Sequence, residues 1–238
     1  KDPDLRIFDA SWYLPDAGRD ARAEFEKGHI AGARFFDIDD VSDQRSELPH
    51  TVPPVEKFMS RVRAMGVGDG HKVVVYDGSG LFSAARVWWL FRLMGQTNIA
   101  VLDGGLPKWL ADGHKTTKVA ATIRDRHMTV KQRPELIKDV TQVARAAKLR
   151  DHNIVDARAP ARFRGDTEEP REGLRSGHIP GSRNVFYQDL FNADGTMKPA
   201  NALRTVFTDA GVDMQKPIIT TCGSGVTAAI LSLALERI

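Results

Sequence analysis

Cys222 is the only cysteine in the chain. It stands in Thr221-Cys222-Gly223-Ser224-Gly225-Val226-Thr227-Ala228. The run Pro217–Thr221 before it is apolar and β-branched and reads as a buried strand. The run Thr227–Glu236 after it reads as a helix. A thiol in a glycine-rich loop between a strand and a helix N-terminus meets converging backbone N–H groups and the positive end of a helix dipole. Such surroundings favour the thiolate, the nucleophilic form of cysteine. The bland alternative is a buried, inert thiol that acts as a small apolar side chain. The loop argues against it. A thiolate ringed by N–H groups can attack a soft sulfur, keep it as a persulfide and pass it to a second nucleophile in a ping-pong exchange.

Other chemistries fit less well. A cysteine phosphatase needs an arginine where Ala228 stands, to hold the phosphoryl oxygens. The loop lacks the lysine of a phosphate-binding P-loop. Seven scattered histidines and one cysteine give no metal-ligand spacing, and no cofactor is implied. Net charge is +3 with Lys and Arg scattered, so there is no basic stripe for nucleic acid. No apolar run is long enough to span a bilayer. A single cysteine excludes an internal disulfide and fits a reducing compartment, so the expected location is cytoplasmic, with mitochondrial as the alternative. With 42% hydrophobic and 27% charged residues, a packed globular fold is expected.

The elements that must position Cys222 occur twice. Ile7-Phe8-Asp9-Ala10 resembles Ile154-Val155-Asp156-Ala157. Gly28-His29-Ile30-Ala31-Gly32 resembles Gly177-His178-Ile179-Pro180-Gly181. Met65-Gly66-Val67 through Val73–Tyr76 resembles Ala210-Gly211-Val212 through Ile218–Thr221. The last block continues as Asp77-Gly78-Ser79-Gly80 against Cys222-Gly223-Ser224-Gly225. The spacing is nearly constant, so two copies of one domain are the simplest explanation. Strands alternate with helices in each copy, which predicts an α/β fold with a mainly parallel central sheet flanked by helices. Val73–Tyr76 and Ile218–Thr221 are the expected central strands. Ser83–Met94 is the expected helix after the first, with Trp88, Trp89 and Phe91 as core residues. The expected boundaries are 1–113 for the first copy, 114–140 for a surface linker and 141–238 for the second copy. The first copy continues past Asp77 to Ile99–Leu102 and a helix with Trp109. The second reaches Ile238 before any matching elements. It is therefore expected to lack its last strand and helix and to leave a sheet edge open.

These residues resemble the tandem rhodanese family over essentially the whole chain. The resemblance rests on Cys222–Ala228, on the His-Ile-x-Gly motifs at His29 and His178, and on Arg162-Phe163-Arg164-Gly165 with Glu169-Pro170-Arg171. It implies a sulfurtransferase in which only the second copy is catalytic, in agreement with Asp77 in place of a cysteine. Thiosulfate-using members carry Arg and Lys in the loop, which suit a dianion. Gly223 and Ser224 stand here instead and point to 3-mercaptopyruvate as donor, with a thiol, thioredoxin or cyanide as acceptor. The family's two substrate arginines match Arg162 and Arg171; Arg164 is the weaker candidate. Arginine's planar fork suits a carboxylate clamp, although all three could simply be surface partners of Asp166, Glu168 and Glu169. Gly223, Gly225, Val226 and Thr227 complete the expected binding loop. The family also implies a relay of Ser224, His50 and Asp39, which could protonate the enolate left when sulfur departs. Alternatively His50 is a loop histidine and Asp39 an N-cap. His29 and His178 are expected to fix a turn, since both copies have them. Two other functions stay open: a thiosulfate:cyanide sulfurtransferase, and a non-catalytic sulfur- or partner-binding module.

Overall fold

A computed structural model describes residues 2–171 and 173–238. The chain forms two compact units, residues 1–133 with 193–196, and residues 134–192 with 197–238. Unit 1 runs β1 (Leu5–Asp9), α1 (Ala21–Lys27), β2 (Ala33–Phe35), α2 (Ile38–Val41), α3 (Val55–Ala64), β3 (Lys72–Tyr76), α4 (Ala84–Leu93), β4 (Ile99–Val101) and α5 (Gly105–Ala111). Unit 2 runs α6 (Val140–Leu149), β5 (Asn153–Asp156), α7 (Pro160–Arg164), β6 (Arg183–Asn184), α8 (Ala200–Asp209), β7 (Ile218–Thr221) and α9 (Val226–Glu236).

The sheet orders are β2-β1-β3-β4 and β6-β5-β7, and every pairing is parallel. The repeat is visible in the register. Ile7 faces Val74 in unit 1, and Ile154 faces Ile219 in unit 2. Among the described residues β7 pairs only with β5, whereas its counterpart β3 pairs on both sides, with β1 and β4.

Strands form where β-branched residues cluster: Lys72–Tyr76 is mostly valine, and Val73, Val75 and Tyr76 are buried. Some helix starts carry acidic caps. Asp20 accepts from the Ala23 amide, and Asp139 forms a reciprocal box with Gln142. After α3 the Val67 amide reaches back to the Val62 carbonyl at 3.1 Å, and after α8 the Val212 amide reaches Phe207 at 3.1 Å. Both valines are then buried, so one helix stop serves both units. The core of unit 1 is built on Phe8, Phe36, Phe58 and Phe91, with Phe58 edge-on to Phe91 at 5.2 Å. Unit 2 buries Val155, Leu190, Leu203, Phe207, Ile230 and Leu231.

The segment 114–133, expected as part of a surface linker, is fastened to unit 1. Thr117 bridges His29, Thr129 donates twice to Asp69, Met128 is buried, and the Arg133 amide donates to the Leu93 carbonyl at 2.7 Å. These backbone bonds satisfy groups that a free linker would leave to water. Trp88 and Phe91 are core, but Trp89 is only half-buried and lies under the Arg86 guanidinium at 4.6 Å. No helix among the described residues is long and apolar enough to cross a membrane.

Candidate active site

Strand β7 carries the chain to Cys222, and α9 begins at Val226. The turn between them needs Gly225, whose φ of 81° is in the left-handed region. This turn brings the Gly225 amide back to donate to Cys222 Sγ at 3.1 Å. Cys222 is a free, half-buried thiol. Val226 is buried as the first residue of α9; Ser224 and Thr227 are partly exposed.

Arg162 and Arg171 both reach this loop. Arg171 Nη2 donates to the Gly223 carbonyl at 2.8 Å. A Cβ on Gly223 would lie 3.3 Å from Arg162 Nη2 and 3.5 Å from Arg171 Nη2. The open face of Gly223, beside the nucleophile, is therefore where the two guanidinium tips come together. Two fixed cationic forks next to a thiol can hold a carboxylate while its neighbouring atom reacts. Arg164 lies apart from them: it pairs with Asp166 at 2.7 Å with both side chains exposed.

Arg162 is held from behind by Glu169, which the sequence offered only as a surface partner, and through it by Arg158, which the sequence left without a role. Glu169 Oε2 accepts from Arg162 Nη2 at 2.6 Å, and Glu169 Oε1 accepts from Arg158 Nη1 at 2.8 Å. Arg158 in turn donates to both oxygens of Asp156, and at 2.8 Å to the Gly177 carbonyl. The Glu169 side chain is only 5% exposed. The Arg162 bond, reinforced by Arg158, holds its carboxyl below the ordinary value of 4.5 against the effect of burial. A signal was present in the repeat. The residue two past the shared Asp-Ala start is Ser11 in the first copy and Arg158 in the second.

The matching loop of unit 1 is filled by its own side chains. Asp77 is fully buried; its carboxylate accepts from the amides of Ser79, Phe82 and Ala84 at 2.7–2.8 Å. Burial pushes that carboxyl above its ordinary value, and those amides oppose the shift. A Cβ on Gly78 would collide with the Tyr13 hydroxyl. Arg19 pairs with Glu24 at 2.6 Å and approaches the Gly78 carbonyl at 3.5 Å, a looser copy of the arginine–glycine contact in unit 2.

Unit 1 also brings Asp39 and His50 together: His50 Nε2 lies 3.0 Å from Asp39 Oδ1. Trp12 Nε1 donates to the other Asp39 oxygen at 3.0 Å and packs edge-on to the His50 ring at 4.7 Å. The His50 contact holds the Asp39 carboxyl below its ordinary value. The His50 side chain is 2% exposed, and its Nδ1 has no hydrogen-bond partner among the described residues. The N-cap of α2 is Asp37, which accepts from the amides of Asp39 and Asp40, so Asp39 is not the cap. Asp39 and His50 belong to unit 1, and Ser224 to unit 2. His29 and His178 share one role. Each stacks on a phenylalanine, Phe25 at 4.0 Å and Phe163 at 3.9 Å, with Nδ1 within 2.9 and 2.7 Å of that residue's carbonyl.

The model for the rhodanese-like domain matches this chain twice, over residues 2–112 and 139–237. A human protein named 3-mercaptopyruvate sulfurtransferase is 42% identical over 231 residues, covering 96% of this chain and 78% of its own. An Arabidopsis thaliana protein named thiosulfate/3-mercaptopyruvate sulfurtransferase 1, mitochondrial, is 40% identical and covers 100% of this chain and 68% of its own. Among solved structures, SseA from Escherichia coli is described as a rhodanese-fold 3-mercaptopyruvate sulfotransferase. It superposes with a TM-score of 0.90 at 38% identity, over 99% of this chain and 90% of its own. The same domain, matched in both copies and aligned over the full chain with these relatives, settles the assignment: this chain belongs to the rhodanese-like family.

Proposed function

We infer that this protein is a sulfurtransferase that takes sulfur from 3-mercaptopyruvate, carries it on Cys222 and releases pyruvate. The observation that carries the reading is the convergence of Arg162 and Arg171 on Gly223, beside a thiol that receives the Gly225 amide. In the first step the Cys222 thiolate attacks the donor sulfur. A sulfur–sulfur bond forms and the carbon–sulfur bond breaks, its electron pair staying on carbon as the enolate. The enolate takes the proton of the donor thiol, which leaves pyruvate and a persulfide anion on Cys222. In the second step cyanide or a thiol takes the terminal sulfur and restores the Cys222 thiolate. Arg162 and Arg171 are assigned to the donor carboxylate, and Gly223, Gly225, Val226 and Thr227 to the loop around the persulfide.

His50 and Asp39 are assigned, with Ser224, to delivery of the proton to the enolate. The formed Asp39–His50 contact supports two of the three members. Thioredoxin, small thiols and cyanide are proposed as acceptors, with no nucleic acid or membrane partner. A reducing compartment, cytoplasm or mitochondrion, suits a lone reactive thiol. Thiosulfate is proposed as a second, poorer donor, because the loop offers no basic side chain of its own beyond the two arginines. The test is steady-state formation of pyruvate and thiocyanate with both substrates varied. Parallel double-reciprocal lines support the two-step exchange. Intersecting lines, or no pyruvate, would refute it.

A further inference from the structure

The arginine clamp carries a countable charge. Among the described residues the contacts run Asp156–Arg158–Glu169–Arg162, with Arg171 on the Gly223 carbonyl. Three guanidinium groups meet two carboxylates, so the clamp itself, counted apart from the Cys222 thiolate, has one positive charge in excess. The surplus sits at the loop face where Arg162 and Arg171 converge. Glu169 is the residue that sets this balance. It touches both Arg158 and Arg162, and its side chain is almost wholly shielded from water. Its charge therefore acts through protein rather than through screening solvent.

We propose that Glu169 determines the charge of the sulfur donor: by pairing Arg158 and Arg162 it leaves the clamp one net positive charge, which selects a monoanionic carboxylate over a dianion. The inference rests on the assignment of Cys222 and the two arginines above and adds to it a residue that acts at one remove. Glu169 does not touch the donor; it sets what the arginines offer. With Glu169 neutral, the same three guanidinium groups carry two excess charges, the complement of thiosulfate.

The test compares kcat/KM for 3-mercaptopyruvate and for thiosulfate, with cyanide as common acceptor, in the wild type, Glu169→Gln and Glu169→Asp. Glu169→Gln is expected to shift the donor ratio toward thiosulfate on the order of tenfold, the scale of one unit charge acting over several ångströms in a partly wet site. Glu169→Asp keeps the charge and is expected to keep the wild-type ratio even if both rates fall. Equal losses on both donors in Glu169→Gln, with the ratio unmoved, overturn the proposal. A second measurement needs neither a variant nor turnover: calorimetric binding of pyruvate and of sulfate to the wild type. Tighter binding of pyruvate supports the assignment, and equal or tighter binding of sulfate overturns it. A wild type that transfers sulfur from neither donor yet prefers pyruvate would sink the Cys222 reading and leave that of Glu169 standing.

Discussion

Replacing Arg171 isolates the clamp from the nucleophile. Its one described polar contact is the 2.8 Å bond from Nη2 to the Gly223 carbonyl, and it takes part in no ion pair among the described residues. Truncation to alanine should therefore cost little stability, because no buried carboxylate is stranded. The donor, in contrast, loses a charge-assisted hydrogen bond. Such a bond contributes about 1.5–3 kcal/mol, which is roughly a 10- to 150-fold fall in kcat/KM. The carboxylate is bound equally in ground and transition states, so most of the loss should appear in KM. Arg171→Lys should recover only part of it, since one ammonium cannot hold the Gly223 carbonyl and a carboxylate with the geometry of a fork. The assay is initial-rate pyruvate release, with thermal melting to show that the fold persists. A KM for 3-mercaptopyruvate within twofold of the wild type in Arg171→Ala would refute the clamp.

Three further outcomes follow from the geometry. Glu169→Gln should lose about 3–5 kcal/mol at neutral pH, the usual cost of breaking a buried pair. Because the folded protein holds Glu169 below its ordinary 4.5, this contribution is complete above that pH and fades as pH falls through the lower folded value, so the gap in Tm between wild type and variant should narrow in acid. Asp77→Ala takes the acceptor from the buried amide of Ala84 and the part-buried amides of Ser79 and Phe82, and should lower the urea midpoint of unit 1 by the equivalent of about 1–3 kcal/mol while Cys222 still accepts sulfur. His50→Asn should slow turnover on 3-mercaptopyruvate by on the order of a hundredfold but leave thiosulfate turnover nearly intact, because sulfite leaves without protonation at carbon. Equal slowing on both donors would remove His50 from the proton path.

The parts of the molecule legible in the sequence are those set by local pattern or by self-comparison. The strand Ile218–Thr221 lies where its β-branched run predicts it, although half-buried rather than buried, and the register of β1 on β3 repeats in β5 on β7. The convergence of Arg162 and Arg171 on Gly223 was legible only through family resemblance, because nothing in their spacing aims them at the distant Cys222. Glu169 was legible only as a surface partner of the arginines, and Arg158 went without a role, because a charged side chain in an arginine-rich stretch is more often a solvated one. The segment 114–133 reads as a linker because it has no periodicity. It is fastened by backbone bonds to His29 and Leu93 and by side-chain bonds to Asp69, and none of these leaves a mark in composition.

The central claim is that Cys222 carries the transferred sulfur, and intact mass reads it most directly. The protein is mixed with 3-mercaptopyruvate without an acceptor, alongside Cys222→Ser. The persulfide mechanism requires a gain of one sulfur atom that a reductant or cyanide removes and that the variant does not show. No gain in the wild type, or the same gain in Cys222→Ser, would contradict it.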